Sequence, residues 1–449
     1  MTRKTTDRTG AGSATPGATS AGPQAARGAG ISRRTMLKGA AALAGVATGS
    51  GAVTGFPTIW AQNPITLRQF GTGVSNLNAI AEKCKADLGI TLQMTALDSD
   101  AVSQRVVTQP NSFDIADIEY WICKKVFAAG TLQPMDVSKI KYYDQIVPIF
   151  TTGKLTPEST IAQGTAPNTV GFVEGPDSKT FASAPTQWMT LIPTIYNADT
   201  LGIRPDLVGR PIKNWKDILD PAFKGKTSIL NIPSIGIMDA AMICESAGLI
   251  KYADKGNMTK KEIDFTIDFL IKTKKDGQFR AFWKTFDESV NLMASGEVVI
   301  QSMWSPAVAA VRSKGIPCVY QPLEEGYRAW GGGLGMAKHL KGAQLDAAYE
   351  YINWYLSGWV GAYLNRQGYY SAVLSTAEKN MTPDEWAFWM LGKPAKADIL
   401  SPEGKVMYTA GAIRDGGSFQ ERMGAVACWN SVMDEDRYMV RRWNEFIAA

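Results

Sequence analysis

The stretch Phe279 to Lys338 constrains the fold most, because its apolar period changes repeatedly and a turn residue marks each change. Asp287 to Ala294 carries helical spacing and stops at Ser295-Gly296. Val298 to Trp304 is a β-prone run that ends in a tryptophan. After Ser305-Pro306 a helical piece runs to Lys314, Gly315 turns the chain, and a short strand reaches Tyr320. A hydrophobic strand then contains Gly331-Gly332-Gly333. Strand, crossover helix, strand is the unit of an α/β sheet. Open α/β sheets take their ligands at strand ends, so Trp304 and Trp330 are the first candidates for a cleft.

The same grammar runs upstream. Ile65 to Phe70 reads as a strand entering Gly71-Thr72-Gly73, then a helix from Ser75 to Asp87 with Ser75 as its N-cap. Ile90 to Met94 is a strand, Ala101 to Thr108 a helix, and Phe113 to Ile118 a third strand leading into Glu119-Tyr120-Trp121. Ile122 to Ala129 is an amphipathic helix closed by Gly130. This alternation predicts a largely parallel sheet with helices on both faces. Lys139 to Thr180 has little periodicity and reads as surface elaboration, while Trp188 to Tyr196 reads as a strand leaving the first lobe. Further helices are predicted over Thr259 to Lys274, Gln344 to Leu356, Trp359 to Asn365 and Arg437 to Ile447. A chain of 449 residues accommodates two such domains.

The N-terminus is of a different kind. Residues 1–31 are rich in Thr, Gly, Ala, Ser and Pro and carry no apolar period. Ser32-Arg33-Arg34-Thr35-Met36-Leu37-Lys38 and the Ala/Gly run behind it resemble a twin-arginine export signal, too weakly apolar for a membrane anchor. Ile59-Trp60-Ala61 is an acceptable cleavage site, which starts the mature chain at Gln62. Residues 1–61 are therefore read as a disordered basic leader with its signal peptide. Seven basic residues and one acid give that leader six positive charges against a total of +5, leaving the remainder at −1. A near-neutral body gives no electrostatic footprint for nucleic acid.

Other totals exclude chemistry. The chain has one histidine, His339, which sits between lysines and reads as a surface residue, so histidine catalysis and His-rich metal sites are disfavoured. No G-x-G-x-x-G, G-x-S-x-G or H-E-x-x-H occurs, and no lysine with Ser or Thr follows the glycine run. No cofactor, catalytic residue or metal site is assigned. Five cysteines, an odd number, leave at least one without an intrachain partner; Cys84–Cys123 and Cys244–Cys318 are conceivable pairs in an oxidising compartment.

Three motifs carry a resemblance to a family. Ser112-Phe113-Asp114-Ile115 is followed by Lys124 to Ile140, KKVFAAGTLQPMDVSKI; Asn214 to Leu219, NWKDIL, by Ala222 to Lys226, AFKGK; and Glu297 to Ile300 by Met303-Trp304 and Gly315-Ile316-Pro317. Together they resemble the extracellular solute-binding proteins of ABC importers, the family that includes the spermidine/putrescine-binding proteins. The resemblance covers most of the chain from Ile65 on. It implies a two-lobed α/β fold of the periplasmic binding protein type (type II-like) with a ligand cleft between the lobes. Lobe 1 would be 62–190 plus 335–449, with C-terminal helices partly packing across the lobes, and lobe 2 would be 191–334.

The resemblance also names cleft residues: Glu119, Tyr120, Trp121, Asp239, Trp304, Trp330, Tyr369 and Tyr370. It implies a small-molecule ligand, an ABC permease in the inner membrane, the twin-arginine translocase during export, a periplasmic monomer and no catalysis. Ammonium groups suit such a set, because aromatic faces attract cations and carboxylates pair with them. Two acidic anchors of the polyamine binders are absent, however. Gly332 stands where one follows the second tryptophan, and Gly71-Thr72-Gly73 stands where another follows the first strand. A ligand with one cationic centre fits what remains. Arg328 and Arg366, read as surface residues, are the reserve for an anionic end. The adjacent Tyr369-Tyr370, with Tyr196 and Tyr120, are the reserve for ferric iron, and an exported enzyme is the remaining class.

Overall fold

Two long antiparallel strands, Ile192–Ile203 and Tyr327–Ala337, form the spine of the sheet. In the computed structural model residues 64–449 are described, all within one unit spanning Val53–Ala449. The leader 1–61, its export signal and the cleavage site lie outside the described residues. At one end of the spine the returning strand pairs with Ile115–Glu119, which is followed outward by the parallel strands Thr66–Thr72 and Thr91–Leu97. At the other end the outgoing strand pairs with Ile300–Met303, followed by Thr227–Leu230 and Phe279–Trp283, again parallel. The sheet thus joins two parallel halves through an antiparallel pair. The crossover read from sequence in 298–320 exists, with the outgoing strand inserted between its two strands.

Each half has its own core. Leu67, Phe70, Ile80, Ile115 and Trp354 are buried in the first, and Leu201, Trp215, Ile229, Ile267 and Trp443 in the second. A smaller cluster with Met293, Met303 and Val311 lies under the helix Ser305–Arg312. The terminal helix Asp436–Ala448 was expected with the first half or partly across both. It buries Met439, Trp443 and Phe446 in the second core, because Phe446 meets Phe282 edge-on at 5.0 Å and Trp443 Nε1 donates to Asn231.

The glycine run has a steric cause. A Cβ on Gly333 would lie 2.6 Å from the Ile192 carbonyl oxygen, and one on Gly331 2.9 Å from the Phe150 ring. Phe150, Ile149, Val170 and Phe172 are buried, which corrects the reading of 139–180 as surface elaboration. That segment lacks a period because it is built of short turns and two-residue strands whose apolar residues plug the first core. Ser75 is not a helix cap. The helix begins at Asn78, and the Ser75 hydroxyl donates to the buried Asp117 carboxylate instead. All five cysteines are free and buried, so neither conceivable disulfide forms. His339 is exposed, with Nε2 3.0 Å from Asp114 Oδ1. Among the described residues no helix is long and apolar enough to cross a membrane.

Candidate functional site

A cleft of about 640 Å³ opens where the two halves meet. Thr72, Gly73, Val74 and Leu77 line it from the end of the first strand, and Leu97, Asp98 and Ser99 from the next strand-to-helix junction. Glu119 comes from the end of Ile115–Glu119, in register with Gly332. The second half supplies Ile232, Ile235, Lys284, Phe286 and Trp304. Asp199, Arg328 and Trp330 rise from the spine, and Tyr369 from the turn into Tyr370–Ser371. Strand ends therefore converge on one concavity, as the open α/β arrangement dictates.

The aromatic side is built from fixed rings. Trp304 precedes Pro306 at the start of its helix and meets Trp283 edge-on at 4.8 Å. Trp283 is held in turn by its Nε1 donating to the Ser302 carbonyl. Trp330 and Tyr369 meet at 5.9 Å with their planes 70° apart. These edge-to-face contacts fix the rings that line the cleft, and aromatic rings attract cations at their faces.

The floor is charged. Arg328, only 2% exposed, donates Nε–H to Asp239 Oδ1 at 2.6 Å and Nη1–H to Asn430 Oδ1 at 2.9 Å, and approaches Asp199 Oδ2 at 3.5 Å. Asp199 also accepts from the Tyr320 hydroxyl at 2.9 Å. Burial nevertheless pushes its carboxyl up to about 6, against the pull of Arg328. Burial raises Glu119 as well, although Ser99 Oγ donates to its Oε2 at 2.7 Å. Behind it on the same strand, burial drives Asp117 to about 7. Glu119, Asp199 and Asp239 face Arg328, with Arg422 acting on Asp199 from behind. Acids thus outnumber bases at the floor, and burial raises the carboxyls of Asp199 and Glu119 more than Arg328 lowers them.

Of the eight residues predicted for a cleft, Glu119, Trp304, Trp330 and Tyr369 line this one. The others stand behind it. Tyr120 is buried with its hydroxyl on the Leu191 carbonyl, Trp121 is buried beside Glu119, and Asp239 is buried beneath Arg328. Tyr370 points the opposite way from Tyr369, as neighbours on an extended segment do, and packs on Tyr196 and Phe419. The tyrosines proposed for iron therefore do not converge, since Tyr120 is engaged elsewhere. Among the described residues no group of three or more His, Cys, Asp or Glu side chains could hold a metal ion.

Arg366 is occupied by Glu385 at 2.6 and 2.9 Å, and Arg328 is no surface residue. Sequence reasoning held Arg328 only in reserve, as a surface residue, and missed Asp199. Arg328 carried a signal: it stands two residues before Trp330, so alternation puts the two on one face. Asn430 and the hairpin residues Ser401, Glu403, Lys405 and Met407, which close one side, gave none.

Residues 79–389 match the model of a family described as bacterial extracellular solute-binding protein. No curated protein sequence matches the chain. Among solved structures, the spermidine/putrescine ABC transporter substrate-binding protein of Streptococcus pneumoniae is 16% identical. It aligns over 86% of this chain and 98% of its own, with a TM-score of 0.56. An ABC transporter substrate-binding protein from Bradyrhizobium japonicum is 16% identical over 85% of this chain and 99% of its own, TM-score 0.56. A binding protein of A. tumefaciens R10 in complex with agropinic acid is 16% identical over 86% and 99%, TM-score 0.54. At these identities the likeness is one of fold: two lobes with a cleft between them.

Proposed function

The chain belongs to the bacterial extracellular solute-binding family, and from that membership we propose that its cleft captures a small organic solute bearing one cationic nitrogen and delivers it to the permease of an ABC importer. The observation that carries this reading is the set of Trp304, Trp330 and Tyr369 around a floor where carboxylates outnumber bases. An ammonium entering there gains ring faces worth about 2 kcal/mol when desolvated and relieves the excess negative charge. Spermidine and putrescine are named for one structural relative and agropinic acid for another, so the fold leaves the solute open. Against a long polyamine stand two positions. Gly73 is open to the cleft with no acid, and a side chain on Gly332 would be directed at Ile195, 3.2 Å away.

On this reading the protein is a non-catalytic periplasmic monomer, exported through the twin-arginine translocase. Arg33→Lys with Arg34→Lys would leave it in the cytoplasm. The test of the solute is native mass spectrometry of the exported protein, with release of what co-purifies, followed by thermal melts against amines, acids and Fe(III). A bound solute raises the melting temperature by mass action. We expect a monoamine or quaternary amine to bind, and Trp304→Ala or Glu119→Gln to weaken it at least tenfold, matching one lost cation contact. Acids that bind while amines do not would overturn the amine assignment and leave the transport role standing.

A further inference from the structure

The family match ends at residue 389, yet one wall of the cleft lies beyond it. That wall is a hairpin, Ile399–Leu400 against Val406–Tyr408, and it lends Ser401, Glu403, Lys405 and Met407 to the lining. It is docked rather than dangling. The Tyr408 ring packs 4.9 Å from Phe388, the Arg312 guanidinium lies 4.8 Å over it, and Met407 is buried. The hairpin is thus gripped both by the Pro383–Leu391 helix and by the helix Ser305–Arg312.

The charges at this mouth are not equivalent. Glu403 is engaged: Oε1 accepts from the Tyr363 hydroxyl at 3.1 Å and Oε2 from Ser401 Oγ at 2.9 Å. Asp98 is engaged too, accepting from the Ala101 amide as a helix cap. Among the described residues, Lys405 and, from the second half, Lys284 make their hydrogen bonds through the backbone and none through the ammonium group. Both side chains are exposed and both line the cleft. The cleft is therefore polarised along its depth, with surplus acid at the floor and, at the rim, two ammonium groups that make no hydrogen bond, that of Lys284 meeting Glu288 only through its field.

We propose that the hairpin makes this an amphoteric-solute site: the cationic nitrogen goes inward to the aromatic rings and Glu119, and an anionic oxygen group stays at the rim between Lys405 and Lys284. The inference rests on the amine reading above and deepens it. An acid at the floor is disfavoured, because Arg328 is already faced by Asp239 and Asp199 and a further anion would add to that excess. A plain diamine is disfavoured at the rim, where its second ammonium meets two lysines and the oxygens of Glu403 and Asp98 are already taken by Tyr363, Ser401 and the Ala101 amide. The element that departs from the family match would so replace a polyamine's second cation site with its opposite.

The test is calorimetric titration of the mature protein with a straight-chain ω-amino carboxylate, the matching aminophosphonate and the matching diamine. Wild type, Lys405→Ala, Lys405→Glu and Lys284→Ala would be compared at low and high salt, with melts to show that each variant folds. Either acid-bearing ligand is expected to outbind the diamine. Each alanine should cost the acid-bearing ligand about threefold, as exposed pairs do, and high salt should erase that difference. Lys405→Glu should move preference toward the diamine. Equal binding of all three ligands, unaltered by Lys405→Glu, overturns the amphoteric assignment and leaves the amine reading intact. Failure of every amine to bind overturns both.

Discussion

At the scale of residues, the cleft runs on a shortage of positive charge. Asp199 titrates near 6 because burial outweighs Arg328, so the native state keeps a proton that the unfolded chain has already lost. Raising the pH from the ordinary carboxylate range through about 6 therefore costs the empty protein stability, and Asp117, near 7, extends the window upward. A cationic solute reverses the balance by favouring the ionised form. Its affinity should climb with pH up to about tenfold per unit below 6 and level off above, with proton release on binding. Calorimetry from pH 5 to 8 in buffers of different ionisation enthalpy would measure both effects, and Asp199→Asn should flatten the curve. A flat profile in the wild type would remove Asp199 from the binding balance. Glu119 and Trp304 could be read from sequence because each follows or ends a β-prone run, whereas Trp330 reaches the cleft from within the strand Tyr327–Ala337. Asp239, Trp121 and Tyr120 came from the same family resemblance, yet their side chains are buried behind the cleft. Residue type and spacing place a strand end, while the rotamer decides what reaches solvent.

At the scale of elements, sequence patterning located the strands and helices of 279–338 closely, since each was bounded by its own cap or turn. Gly296, at φ 76°, ends its helix as the Ser295-Gly296 signal indicated. The irregular segment 139–180 was illegible, because segments of two and three residues are too short to express a period. So was the hairpin 399–408, whose strands are equally short. The glycine run was visible as a break, but its meaning is the approach of the two spine strands. Gly333→Ala sets a methyl against the Ile192 carbonyl, and backbone cannot step aside as a side chain can. It should cost about 1–3 kcal/mol in urea unfolding. An unchanged midpoint would mean that the strands are free to separate.

At the scale of the whole molecule, the five cysteines make a simple prediction. All are buried, and burial raises their thiols, so none should react with a thiol reagent in the native protein and all should react in denaturant. Reductant should leave the melting temperature unchanged, and a drop would reveal a disulfide. The stability of the protein then rests on its two cores. Those cores are closed late along the chain. The first needs the strand Tyr327–Ala337, and the second needs Trp443 and Phe446 from the final helix. During synthesis, then, the first half waits for Tyr327–Ala337 and the second for Trp443 and Phe446, although the earliest strands of each were made long before. Until those segments emerge, each half exposes apolar surface that the finished fold covers, and the nascent chain must be kept from aggregation for that interval.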